Sequence, residues 1–337
     1  MPKRIITSCF AAVVLSFVIL YYSSPEPQKG QQILGQSSVR PRTAGSLNYY
    51  NRDKKAGNYI LEYGFMDFKG KKHRVVFNIS EYIHHKLSDI FGYDPDVAEA
   101  ETNKRIKMEI DSIIARSGYA RYITYSLSSK RISIQSKPVS KSIFSDVQKT
   151  MNSITAYYSA NYNRTYSEVI GKNGFFIEGD YIRIDYGKMA QWNRDVLREC
   201  YDALYRTGRN YSLSDYLGLF TAFIQEINYE IPPEKIGGKN TGGIYIPTDV
   251  LINNRGDCDS KAIAFACLWQ NFTGTKVIIV QVPDHALVGV AVVPEAGQTY
   301  TRIGNSYYVL CEVAGPAKIY PGHDVSVKGT FSYYAIN

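Results

Sequence analysis

The 337-residue sequence predicts an α+β protein behind an N-terminal membrane anchor. Three observations predict it. An uncharged run covers residues 5–22. Two helical patterns, 212–228 and 258–271, come in succession. Three strand-like segments, 276–282, 285–293 and 306–313, then follow them. Helices followed by neighbouring antiparallel strands make an α+β order.

The uncharged run comes first. As a helix it spans about 27 Å at about 1.5 Å per residue, close to the hydrocarbon thickness of a bilayer. Lys3 and Arg4 ahead of it place the N-terminus in the cytoplasm and the rest of the chain outside. The small-residue pattern that signal peptidase needs is missing at 20–24, so an uncleaved anchor is favoured over a cleaved signal. Residues 23–45, rich in Ser, Pro, Gln and Gly, read as a linker. The expected location is therefore the inner membrane, with one anchor and the globular part in the periplasm or outside the cell.

The net charge of +8 sits in one place. Residues 1–74 hold 12 Lys or Arg against 4 Asp or Glu, and the remainder balances at 27 against 27. Such an arm suits a solvated tether or contact with anionic headgroups. No basic helix is interleaved with aromatics, so no nucleic-acid partner is expected.

Residues 46–207 read as a mixed α and β region of unknown role. A hairpin is predicted over 58–79 with its turn at Lys69, Gly70 and Lys71. A helix over 96–117 stops at Gly118, a second hairpin covers 119–136, and helices are predicted at 143–160 and 188–207 around a strand at 175–186. Residues 208–337 read as a separate catalytic domain. Its first helix, capped by Ser212 or Ser214, carries Leu217, Phe220, Ile224 and Ile227 at helical spacing. A Gly- and Pro-rich loop follows, in which Gly237, Gly238, Gly242 and Gly243 suggest a mobile lid.

The chemistry-bearing residues lie in this second part. Cys258 follows a Gly turn and opens a helix, where unpaired amides and partial positive charge favour thiolate over thiol. A lone cysteine is more often a small buried hydrophobe, as Cys267 is expected to be. The polar neighbours Asp257, Asp259, Ser260 and Lys261 argue that Cys258 is not buried in that way. His285 starts a strand at a polar bend, a rigid mount for a general base. A base works best when a third group orients it. Antiparallel pairing of 285–293 with 306–313 about a tip near 297–301 makes Glu312 that group, with Asp284 and Asp324 as rivals. Gln225, on the polar edge of the preceding helix, can donate its amide to an oxyanion, with the Cys258 amide as second donor. The five cysteines show no CxxC spacing, and His84 and His85 lack ligand partners at useful spacing. No metal and no cofactor are expected.

Four stretches carry a resemblance: Phe223-Ile224-Gln225-Glu226-Ile227-Asn228-Tyr229, Tyr245-Ile246-Pro247-Thr248-Asp249-Val250-Leu251, Arg255-Gly256-Asp257-Cys258-Asp259-Ser260-Lys261-Ala262, and His285-Ala286 on a strand. Together they resemble bacterial transglutaminase-like proteins over roughly residues 210–325. The resemblance implies a papain-like core with Cys258 as nucleophile, His285 as general base and acid, and Gln225 in the oxyanion hole. The family's third residue is usually Asp, where this chain offers Glu312, and its common Trp after His-Ala is Leu287 here. It implies a cysteine protease or amidase acting on an amide bond of a protein or peptidoglycan peptide. Transglutaminase-type cross-linking and a non-catalytic binding or scaffold role are the alternatives.

Overall fold

The computed structural model describes residues 18–21 as backbone, and residues 48–128, 130–273, 275–325 and 331–336. The linker at 23–45 and most of the expected anchor lie outside the described residues. Of the anchor, Val18–Tyr21 form a strand instead of a helix, paired antiparallel with residues 131–134. β-Branched and aromatic side chains suit a strand. Among the described residues, no helix is long and apolar enough to cross a membrane.

The chain divides into two compact units. The smaller contains the strand at 18–21, Pro95–Ile170 and Ile177–Tyr181. Its helix Pro95–Ser117 buries Ala98, Thr102, Ile106, Ile110 and Ile114, one stripe at spacings of four. The hairpin Ile123–Ser128 and Arg131–Ser136 buries Ile123, Ile132 and Ile134. The helix Lys141–Gly171 runs well past its expected end at residue 160.

The larger unit contains residues 48–94, 171–176 and 182–336. The division therefore does not follow the linear boundary expected at 207–208. Residues 48–94 fold with the C-terminal half because their apolar faces are buried there: Tyr63 and Phe65 of the first sheet pack edge-on against Phe223, at 5.2 and 5.4 Å. That sheet is a meander of β1 (Tyr49–Lys55), β2 (Asn58–Met66) and β3 (Lys72–Ser80). Leu61, Tyr63 and Phe65 alternate inward on β2, and Val75, Phe77 and Ile79 do so on β3. Then come α1 (Glu81–Ile90), α2 (Tyr186–Asn193) and α3 (Arg198–Thr207). The single helix expected over 188–207 is thus broken in two.

Three helices and a sheet build the core. In α4 (Leu213–Glu226), Ser212 and Asp215 form a reciprocal capping box. The short α5 (Pro247–Asn253) leads to α6 (Cys258–Thr273). Every residue from Ala262 to Trp269 is buried, so α6 is apolar all round and runs through the centre of the unit. It packs on an antiparallel sheet of β4 (Val277–Val282), β5 (His285–Val290), β6 (Tyr300–Ile303), β7 (Ser306–Cys311) and β8 (Ser332–Ile336). The spatial order is β6-β7-β5-β4-β8. β5 and β7 are not one hairpin, as the sequence suggested: β6 intervenes and pairs on the outer edge of β7, with the reversal at Gly304. Their register is nevertheless close to the expected one, with Val288 opposite Cys311.

Candidate active site

Cys258 is placed by a short parallel ladder and a cap. Arg255 and Gly256 pair with Asn228 and Tyr229, fixing the chain just before α6 against the chain just after α4. Asp257 is the N-cap: its Oδ1 accepts the Ser260 amide at 2.9 Å, and its carbonyl accepts the Lys261 amide at 3.1 Å. The amides of Cys258 and Asp259 have no acceptor within the helix and face the helix entrance. Cys258 is itself only 7% exposed, and of its polar neighbours only Asp259 is partly exposed. Ser260 and Lys261 are fully buried and Asp257 nearly so. Each is satisfied inside. Ser260 Oγ accepts the Tyr245 amide at 2.9 Å, and Lys261 Nζ donates to the carbonyls of Ile227 and Ala314. Their polarity reflects buried hydrogen bonding, which the sequence pattern alone does not distinguish from exposure.

His285 opens β5 directly after Asp284, whose φ of 59° makes the bend. Its Nε2 lies 2.5 Å from Glu312 Oε2, and the ring also interacts with the Cys258 side chain. Glu312 follows the last residue of β7. In the β5–β7 register it lies diagonal to His285, a separation that a long side chain spans. Its other oxygen, Oε1, accepts the Ala314 amide at 2.7 Å, so the carboxylate is fixed before it meets the imidazole. The Cys258 hydrogen bond first, and Glu312 second, raise the His285 pKa to about 10 against the opposing pull of burial. The rivals Asp284 and Asp324 are both exposed.

Gln225 is placed differently from the sequence reading. It is buried, not on a polar edge. Both amide hydrogens are committed, to the carbonyls of Glu312 at 2.6 Å and Ile319 at 2.9 Å, and its oxygen accepts the Ile319 amide. It clamps the 312–319 loop onto α4. Gly315 permits this approach, since a Cβ there would lie 2.4 Å from the Gln225 carbonyl oxygen. The side chain that stands at the sulfur is Tyr229, which sequence reasoning did not single out. Partial burial first, then the charges of Cys258, Asp257 and Asp259, and least of all an interaction of its hydroxyl with Cys258, push its pKa up to about 12. It keeps its proton and remains a donor. The one sequence signal for it is its place in the stretch that resembles the family.

Other features take structural roles. Asp257, Cys258 and Asp259 could together offer ligand atoms within 4.8 Å of one another. One oxygen of each carboxylate is already engaged, that of Asp259 by the Tyr186 hydroxyl at 2.7 Å. His84, expected on an exposed turn, is buried and bonded to Thr248 Oγ1 at 3.0 Å, while His85 is exposed. The expected lid is a hairpin pinned by two backbone bonds between Asn240 and Tyr93. A cavity of about 320 Å³ is lined in part by Tyr245, Asp249 and Arg255. Arg255 there is held by Glu230 at 2.9 Å and lies over the Tyr245 ring. Cys200, Cys258, Cys267 and Cys311 are all buried free thiols, and burial pushes the pKa values of Cys200, Cys267 and Cys311 up. No protein family, curated protein or solved structure matches the chain.

Proposed function

We propose that the larger unit is a cysteine-dependent peptidase or amidase of the papain-like, transglutaminase-like type, acting through a thioester on a protein or peptidoglycan peptide. One observation carries this reading: His285 is held by Glu312 at 2.5 Å, and Cys258, at the entrance of a buried helix, acts on the same ring. The resemblance in the Gly-Asp-Cys-Asp-Ser-Lys-Ala run supports it. The apolar segment at 5–22 and the basic arm support an envelope location for the substrate.

The chemistry follows from the residues. The Cys258 thiolate attacks the amide carbon, and the carbonyl electron pair moves to oxygen. The helix-opening amides and the Tyr229 hydroxyl donate to that oxyanion. The intermediate collapses, the C–N bond breaks, and the departing amine takes the proton of the His285 imidazolium. The now neutral ring accepts a proton from water as it attacks the thioester. Expulsion of the thiolate then releases the acid and restores the imidazolium. Glu312 holds the ring in place throughout. A primary amine in place of water gives transamidation by the same route.

The test is alkylation of the full-length chain with iodoacetamide between pH 5 and 9, with modified peptides mapped. Labelling of Cys258 that persists at pH 6 and falls in His285→Ala supports the reading. Labelling of Cys258 that is indifferent to His285 overturns it.

A further inference from the structure

We propose that Lys261 is a positioning residue for this site: a buried cation that joins the segments carrying Tyr229, Cys258 and Glu312 and supplies the positive charge beneath the thiolate. The proposal rests on Cys258 being the nucleophile. Lysine is almost never fully buried unless it is paired, yet Lys261 has no exposed surface. Its hydrogen-bond partners are main-chain carbonyls, those of Ile227 and Ala314.

Both carbonyls belong to segments that carry the site. Ile227 is the C-cap of α4, two residues before Tyr229, and helix-end carbonyls favour a cation. Ala314 is the residue whose amide holds Glu312 Oε1 at 2.7 Å. Lys261 itself lies three residues after Cys258, on the same face of α6. One ammonium thus fixes three strands of chain that are far apart in sequence. The groups that act on it from these elements are Glu312 beyond β7, Glu226 at the end of α4, and Asp257 and Cys258 at the start of α6. All are anionic when ionised. Burial lowers the lysine more than these anions raise it, and the balance lies at about 7. A side chain required only to fill this space would be apolar. A charged one costs desolvation, which is offset when negative charge forms beside it.

The test uses the full-length chain and the rate of Cys258 alkylation by iodoacetamide as a function of pH, for wild type, Lys261→Met, Lys261→Gln and His285→Ala. The proposal predicts that Lys261→Met lowers the rate at pH 6 about tenfold and moves the midpoint of the profile up by about one pH unit, the equivalent of one unit of charge-state preference. Lys261→Gln keeps two donors and loses the charge, so it recovers thermal stability over Lys261→Met without recovering the midpoint. If Lys261→Met does not fold, Lys261→Gln still reports the charge. A wild-type profile in either folded variant overturns the proposal. A wild-type chain whose profile ignores His285→Ala overturns instead the nucleophile reading beneath it.

Discussion

Among the described residues of the larger unit, two histidine–carboxylate pairs are closer than 3 Å, and only one of them is a candidate for catalysis. His285 Nε2 lies 2.5 Å from Glu312 Oε2, and His73 Nε2 lies 2.7 Å from Asp67 Oδ2. Each pair has a tyrosine hydroxyl nearby: Tyr229 at the Cys258 sulfur, and Tyr211 on Asp67 at 3.0 Å. The difference lies in what else the pair does. Asp67 Oδ1 accepts the amides of Lys69 and Lys71, so the carboxylate closes the β2–β3 turn, and His73 packs on the Phe65 ring. The side chain of His73 is 1% exposed, against 32% for His285. A histidine–carboxylate pair is therefore not a site in itself. It becomes a candidate when the ring also meets a thiol at a helix entrance and part of it remains accessible to a substrate.

The largest expected effect is the one that separates the two histidines. His285→Ala should slow Cys258 alkylation at pH 6 by about 100-fold or more, the range expected for loss of a positioned acid–base group. His73→Ala should leave the rate within about twofold and lower thermal stability instead, because it strands a buried carboxylate. Equal kinetic effects of the two substitutions would erase the distinction. The carboxylates should separate next. Glu312→Gln should cost about tenfold in alkylation with little change in melting, since a neutral amide still orients the ring but does not hold its charge. Asp67→Asn should cost about 1–3 kcal/mol of stability in urea unfolding, through weakened hydrogen bonds to a buried turn, and leave alkylation unchanged.

Much of the candidate pair was legible because its signals are local. A Gly turn before a helix locates Cys258, a bend before a strand locates His285, and period-two pairing brings Glu312 near it. What was not legible depends on long-range contacts. Lys261 is polar in sequence and interior in the fold because its acceptors lie 34 and 53 residues away. Gln225 reads as a surface amide until the 312–319 loop closes over it. Tyr229 reaches the sulfur only because the chain after α4 pairs with the chain before α6, a two-residue ladder with no periodic signal. The grouping of residues 48–94 with the C-terminal half was hidden for the same reason: Tyr63 and Phe223 are 160 positions apart in number and adjacent in space.

The smallest effect should sharpen the comparison by pH. One group of each pair is shifted, and in opposite directions. The Asp67 carboxyl is pushed up by burial, but hydrogen bonds from His73, the Lys71 amide and Tyr211 outweigh this and hold it below its ordinary value. A depressed carboxyl contributes stability that is present above its unfolded pKa, about 3.9, and is lost as pH falls through the lower folded value. His285 is the reverse case. Its folded pKa of about 10 exceeds the unfolded value, so its contribution is complete below about 6.5 and is lost as pH rises through 10. Melting temperature measured from pH 3 to 11 should therefore fall at both ends for two separate reasons. Asp67→Asn should flatten the acid limb alone and His285→Ala the alkaline limb alone, each by roughly a few degrees. Loss of both limbs from a single substitution would mean that the two pairs are coupled, and that the structural pair contributes to the chemistry after all.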